Sequence, residues 1–326
     1  MHVSFYAEKM EVRGKGMLNN NKIGKYLFTA FRAILIISLG YIVLYPLLYM
    51  ISSSFTPASQ AADPSVVWVP KTFSLENFML AFAAMDYVKS LWVTLRIEIL
   101  SGLIEVFTCA VIAYGFARYN FKFKNIIFAL VIVTIIVPPQ AIIVPMYLNY
   151  SYVDFLGILK LIGKVVGQEL RPNLLDTGWT FYIPSIFGVG LRSGLFIFIY
   201  RQFFIGLPAE LEEAASIDGA GPITTFLRVA LPSSGVAIVC VTIFSIIWHW
   251  NDYNLSAMFL SENFPLSVKL SMLADNTFTT ASGIKFTASG DIVMAACILF
   301  VLPVLLFYII VQKKFVQSID RVGIVG

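Results

Sequence analysis

Between Ile126 and Val153, and again between Ile292 and Gln312, the chain runs without a charged residue. Runs of this length suit hydrocarbon. Crossing about 30 Å of bilayer core takes roughly 20 mostly apolar helical residues, and an open strand or loop would leave backbone groups unpaired there. Six segments pass that test, at about residues 27 to 51, 90 to 115, 126 to 148, 179 to 200, 233 to 258 and 290 to 312, the third and sixth being the cleanest. Charged residues make up 13% of the 326 and hydrophobic ones 58%, whereas a soluble chain carries about a quarter charged. The expected fold class is all-α, a polytopic membrane protein of six transmembrane helices.

Lys and Arg set the orientation, because cytoplasmic loops carry the excess. With the N-terminus inside, the inner segments hold Lys9, Arg13, Lys15, Lys22, Lys25, Arg32, Arg118, Lys122, Lys124, Arg201, Arg228, Lys313, Lys314 and Arg321. The outer ones hold half as many: Lys71, Lys89, Lys160, Lys164, Arg171, Lys269 and Lys285. Both termini are therefore expected in the cytoplasm. The chain divides into an N-terminal segment (1–26), a six-helix transmembrane bundle (27–312) with a cytoplasmic loop at 201–232, and a tail (313–326). Pro46, Pro138, Pro139, Pro145, Pro184 and Pro303 fall in or beside the spans and predict kinks.

Several chemistries are excluded early. Cys109, Cys240 and Cys297 each stand alone in an apolar run, so neither a disulfide framework nor a zinc site is signalled. His2 and His249 are too few for a metal centre or a histidine-based triad, and His249 reads as a packed or pore-lining side chain. No metal site is expected. The basic residues lie in short clusters beside apolar runs and form no stripe, which argues against nucleic acid. Gly163-Lys164 is followed by Val165, so no nucleotide-binding loop is present. No paired catalytic groups stand at matching depth, and the chain is not expected to be an enzyme.

The loop between the fourth and fifth spans is polar and long enough to fold by itself. Pro208 suits a first helical turn, Glu210, Glu212 and Glu213 suit the positive end of a helix dipole, and Gly219 suits a C-terminal cap. A helix of about eleven residues is expected, with Leu211, Ala214 and Ala215 on one face. Pro222 then opens a second helix, which Leu231-Pro232 closes.

Glu213-Ala214-Ala215, Gly219 four residues on, then Val229, Leu231 and Pro232 match in spacing the EAA loop of binding-protein-dependent ABC importer permeases. Other stretches extend the resemblance along nearly the whole chain, toward the carbohydrate branch and its maltose-permease-like second subunit. These are Tyr45-Pro46-Leu47, Ala113-Tyr114-Gly115-Phe116-Ala117-Arg118, Val137-Pro138-Pro139-Gln140, Tyr200-Arg201-Gln202-Phe203-Phe204, Trp250-Asn251-Asp252 and Gln312-Lys313-Lys314-Phe315. The outer segment from about Gly157 to Leu174 is longer than is usual for that branch, and Gly323-Ile324-Val325-Gly326 lacks the lysine often seen near the end.

The resemblance implies a type I importer permease in the bacterial cytoplasmic (inner) membrane. Its implied partners are a cytoplasmic ABC ATPase dimer, a second permease subunit, an extracytoplasmic solute-binding protein and the lipid bilayer. ATP would be used by the partner subunit, and this chain would hold no cofactor. The implied coupling residues are Glu213, Ala214, Ala215, Asp218, Gly219, Leu231 and Pro232. A stand-alone secondary transporter or channel would share the span count without needing the loop.

Charges at span depth cost roughly 2.5 to 3.5 kcal/mol on insertion scales, so they face a cavity or a partner. Arg96, Glu98, Glu105 and Arg192 need such an account, and Glu98 and Glu105, seven apart, share a helix face. Two readings stand. Glu98, Glu105, Arg192, Trp250, Asn251 and Asp252 could line a polar track for a hydroxyl-rich substrate, with Trp248 and Tyr253 offering further ring faces; or Arg and Glu on neighbouring spans neutralise each other and hold the bundle together.

Overall fold

The computed structural model describes residues 2–60, 63, 69–154, 157–168, 170–275, 277–279 and 285–323, with side chains described for 24–60, 63, 69–154, 157–168, 170–273 and 288–312. The side chains of His2, Lys9, Arg13, Lys15, Lys22, Lys285, Lys313, Lys314, Phe315 and Arg321, and residues Ile324 to Gly326, lie outside that description.

The chain is helical almost throughout: α1 (His2–Ser54), α2 (Glu76–Ala84), α3 (Tyr87–Arg118), α4 (Lys124–Ile136), α5 (Pro139–Ser151), α6 (Ile158–Val166) and α7 (Trp179–Ile186). Then come α8 (Ser193–Gly206), α9 (Glu210–Ile217), α10 (Pro222–Ser233), α11 (Gly235–Trp250), α12 (Asn254–Phe259), α13 (Leu266–Asp275) and α14 (Gly290–Gly323). The all-α expectation holds for the architecture, with one short addition. Thr277–Thr279 and Lys285–Thr287 pair as antiparallel strands with Phe278 opposite Phe286, in a stretch whose Thr and Phe residues favour extended backbone.

Among the described residues, three helices are long and apolar enough to cross a membrane, within α1, α3 and α14, and up to six spans result if each of three bent pairs counts as one. The third expected span, read as the cleanest, is not one helix: α4 and α5 meet at 104°. Its cause is local. A residue before proline is pushed out of the helical region, and Val137 (ψ 119°) and Pro138 (ψ 135°) both precede one. The fourth expected span is also divided, into α7 and α8, by a turn in which Gly188 and Arg192 take positive φ. The fifth breaks after Trp250, where the Asp252 carboxylate receives the N–H groups of Leu255 at 3.4 Å and Ser256 at 3.0 Å and so starts α12. The second is continuous but contains a π-helical turn at Thr94–Ile99.

Packing centres on α3, which lies against α8, α7 and α11, while α14 touches α1, α2, α11 and α13. The α3–α8 core is built from Cys109, Ala110, Ala113, Tyr114, Phe196, Tyr200 and Phe204. Small residues on α3 let the neighbouring backbones approach, which is the main source of helix association where lipid is as apolar as leucine. Polarity is inverted relative to a soluble protein. Glu98 and Glu105 are wholly buried, while large apolar side chains along α1, α4, α5 and α14 are exposed. That distribution is stable only in a bilayer.

Gly102 marks a close crossing of α3 and α11. A Cβ there would stand 2.8 Å from the Ser245 hydroxyl oxygen and 3.0 Å from the His249 ring, and Ser245 donates to the Gly102 carbonyl at 3.0 Å. Around Gly115, on the same helix, nothing lies within 4 Å of such a Cβ. Gly102→Ala is therefore expected to lower thermal stability in detergent by about 1–3 kcal/mol through overpacking, relative to a near-neutral Gly115→Ala.

Candidate functional site

Two places gather polar side chains that the apolar surroundings would otherwise exclude. The first is the loop after α8. Leu207 precedes Pro208 and is extended (ψ 135°), so α8 stops there. The loop helix α9 is eight residues long, shorter than the eleven expected, because Pro208 stays outside it and Glu210 is its first residue. Its end follows the expectation for Gly219. With φ at +84°, Gly219 donates its N–H to the Ser216 carbonyl at 3.0 Å and Ala220 donates to Ala215 at 2.9 Å. This is the Schellman pattern, in which a left-handed residue satisfies the last carbonyls and turns the chain sharply away.

Glu210, Glu213, Ala214, Asp218 and Gly219 are exposed, as are the apolar side chains of Leu211, Ile217 and Ile223, while Ala215 is half-buried. Pro222 opens α10 as expected. Leu231 and Pro232 lie in its last turn, after a π-helical turn at Phe226–Ala230, and α10 meets α11 at 79°. The loop is fastened to the bundle by a residue that sequence reasoning assigned only to the helix dipole. Glu212 accepts from Arg118 Nε at 2.7 Å and from the Tyr114 hydroxyl at 3.1 Å, and Arg118 also donates to the Leu207 carbonyl at 2.9 Å. Tyr114 and Arg118 are four apart and share a face of α3. Their spacing was visible in the sequence, but the partner was not.

The second place lies between α3, α8 and α11. Glu98 and Glu105 flank His249: Glu105 Oε2 stands 2.9 Å from Nε2 and Glu98 Oε2 3.4 Å from Nδ1. Ser256 donates to Glu98 at 2.7 Å, its hydroxyl also lying 3.1 Å from Asp252, and Ser193 donates to Glu105. Both imidazole nitrogens can donate at once only in the imidazolium form. Arg96 and Arg192 do not neutralise these carboxylates. Arg96 is two residues from Glu98 and so faces outward, exposed, and Arg192 lies over the Trp248 ring at 5.5 Å. The Arg–Glu pairing of the second reading is absent among the described residues, where the carboxylates pair with histidine.

A cavity of about 420 Å³ adjoins this cluster, with Glu98, His249, Asp252, Arg192, Ser193 and Ser185 in its lining and an otherwise mainly apolar wall. That is within the size range of small-ligand sites. Ser185 is 1% exposed, and its hydroxyl has no hydrogen-bond partner among the described residues. Of the pathway candidates, Glu98, Arg192 and Asp252 are brought to the cavity, and Glu105 stands behind it on His249. Trp250 is not in the lining: its ring packs on Phe300 and its N–H donates to the Phe300 carbonyl at 3.2 Å. Asn251 donates back to the Ile247 carbonyl at 2.7 Å.

Removing one partner of a buried ionic group leaves the others uncompensated, at a cost of about 3–5 kcal/mol. His249→Leu is therefore expected to lower thermal stability by about that amount. Adding Glu98→Gln and Glu105→Gln to it should recover most of the loss, a comparison made by melting the unsubstituted protein, the single variant and the triple variant in one detergent.

Residues 107–321 match the family described as binding-protein-dependent transport system inner membrane component. The Bacillus subtilis protein LplC is 28% identical over 308 residues, covering 92% of this chain and 95% of that one. The arabinooligosaccharides transport system permease protein AraQ of Halalkalibacterium halodurans is 24% identical over 295 residues, 88% and 93% of the two chains. Among solved structures, a chain of a bacterial ABC transporter involved in the import of the acidic polysaccharide alginate superposes with a TM-score of 0.64 at 20% identity, over 89% of this chain and 96% of that one, which is a likeness of fold. The family match spans well over half of the sequence and takes in α8, the capped loop helix and α11, and the chain accordingly belongs to the inner-membrane components of binding-protein-dependent transport systems.

Proposed function

We propose that this chain is the permease subunit of an ATP-driven importer of a sugar or oligosaccharide, forming half of the translocation pathway. In this reading it crosses the bacterial inner membrane six times, at about residues 27–51, 90–115, 126–148, 179–200, 233–258 and 290–312, with both termini and the 201–232 loop in the cytoplasm. It pairs with a second permease chain, a cytoplasmic ATPase dimer and an extracytoplasmic solute-binding protein. The carbohydrate assignment is supported by relatives whose names concern arabinooligosaccharides, polygalacturonan or rhamnogalacturonan, and starch degradation products.

The observation that carries the coupling role is the loop itself. An exposed helix with acids and small side chains on its surface is held rigidly at one end by Glu212 on Arg118 and ended sharply at the other by Gly219. A push on α9 would pass to α3 through a charge-assisted pair, worth about 1.5–3 kcal/mol in protein settings, and to α11 through α10. Glu213 supplies the charge contact, Ala214 and Ala215 the close-packed seat, and Asp218 and Gly219 the turn. Leu231 and Pro232 join α10 to α11. Closure of the ATPase pair would then rock two helix bundles between inward-open and outward-open states.

Substrate would pass along the polar wall of the cavity. The unpartnered Ser185 hydroxyl and the Glu98 and Asp252 carboxylates are hydrogen-bonding groups of the kind a sugar hydroxyl needs, and the apolar remainder suits its C–H faces.

Gly219→Val places a β-branched residue at positive φ, which only glycine adopts freely. Uptake by the assembled importer is expected to fall to background with membrane levels unchanged; normal uptake would refute the role. Arg118→Gln should leave basal ATP hydrolysis in place and reduce solute transported per ATP, measured in proteoliposomes. Asp252→Ala is expected to change the ranking of competing sugars in an uptake assay normalised to protein level, whereas a purely structural aspartate would lower all of them in proportion.

A further inference from the structure

The excursion between α5 and α7 is the long outer segment that transport leaves without a task. It is closed at its base by two backbone bonds, Val153 N–H to the Pro172 carbonyl at 3.1 Å and Leu174 N–H to Tyr150 at 2.9 Å. The nine-residue α6 therefore hangs just beyond the last turn of apolar α5. It is a capped unit: Asp154 receives the N–H groups of Leu159 at 2.9 Å and Lys160 at 3.4 Å. Gly157 and Gly167 take positive φ at its two ends. Gly163 admits the Gln168 carbonyl, which an added Cβ would meet at 2.5 Å, so this side of the helix faces its own loop.

The rest of α6 is strongly two-sided. Ile158, Leu161, Ile162, Val165 and Val166 recur at i, i+3, i+4, i+7 and i+8, within an arc of about 140° for a 3.6-residue period. All five are exposed, Val165 to 82% and Leu161 to 66%. Lys160 and Lys164, four apart, stand on the opposite side, and neither forms an ion pair with a described carboxylate. An isolated stripe of this kind facing water would be an association hazard.

We infer that α6 lies in the plane of the membrane surface, with its apolar stripe among the acyl chains and its two lysines toward anionic lipid headgroups. Three observations favour lipid over a protein partner. The helix that precedes it in the chain, α5, itself exposes the apolar side chains of Val144 and Leu148. Exposed rings of the kind found in an interfacial belt flank the excursion along the chain: Tyr152, with Arg171 over its face at 5.0 Å, and Trp179. The lysines lie opposite the apolar stripe and so on the side where lipid phosphates would be, worth attraction near an anionic surface. Held this way, α6 fixes the depth of α5 and α7, both of which contribute residues to the cavity wall.

The test uses the full chain in its assembled importer, with Cys109, Cys240 and Cys297 replaced by alanine and a spin label on Leu161→Cys, Val165→Cys or Lys164→Cys. The complexes are reconstituted in vesicles of phosphatidylcholine and phosphatidylglycerol, and collision with oxygen is compared with collision with a water-soluble nickel chelate. Labels at 161 and 165 are expected to favour oxygen and the label at 164 the chelate. With Lys160→Glu and Lys164→Glu added, the 165 label should move toward water in the anionic vesicles and less in pure phosphatidylcholine. A 165 label open to the chelate overturns the inference, and so does one shielded from both reagents, which would place a protein against this face. A control label at Leu305→Cys on α14 that still favours oxygen separates either failure from a failure of the membrane-spanning reading.

Discussion

Hydrocarbon gives helices no reason to hide leucine from it, so this bundle is held by what lipid cannot satisfy: close backbone approach and buried polar groups. Both occur together on α3. Gly102 admits the Ser245 and His249 side chains of α11, and one turn to either side Glu98 and Glu105 grip the two nitrogens of His249. The rest of the arrangement follows from that crossing. It fixes α11 beside α3, places Asp252 and α12 at the end of the cavity, and leaves the outer surfaces of α1, α4 and α5 to the acyl chains.

A second fixed point lies at the other end of α3. Arg118 and Tyr114 hold Glu212, so the loop helix is an extension of the same rod whose middle carries the carboxylates. The proposed coupling is thus mechanically short. Motion of α9 reaches the cavity wall through one helix of continuous hydrogen bonding, interrupted only at the π turn beside Glu98. Such turns widen a helix locally and are frequent at functional sites.

Much of this could be read from the sequence because lipid imposes few solutions. Gly219 at the end of the loop helix and Pro222 at the start of the next are local signals that the structure bears out, and three of the apolar runs, in α1, α3 and α14, form helices of spanning length. The breaks were harder to read. Pro138 and Pro139 were seen as a kink, yet two consecutive pre-proline residues leave no helical backbone across the junction, and hydropathy is blind to that. The pairing of charges was not legible at all. Glu98 and Glu105 announced a shared face, but whether an arginine or His249 met it depends on how α3 and α11 cross, and that is set by Gly102 together with side chains more than a hundred residues away. The loop's anchor was hidden for the same reason, with Tyr114 and Arg118 far from Glu212 in sequence. The small strand pair was missed because short Thr- and Phe-containing stretches carry little signal.

The central claim is that the exposed face of α9 is where an ATP-driven partner engages this chain. A photoactivatable cross-linker carried at Ala214, in membranes containing the whole importer, tests it most directly. The account predicts an adduct with the cytoplasmic ATPase whose yield changes when nucleotide is added. Labelling of position 214 from the outer side of the membrane, or failure to form any ATPase adduct while the importer is intact and active, would contradict it.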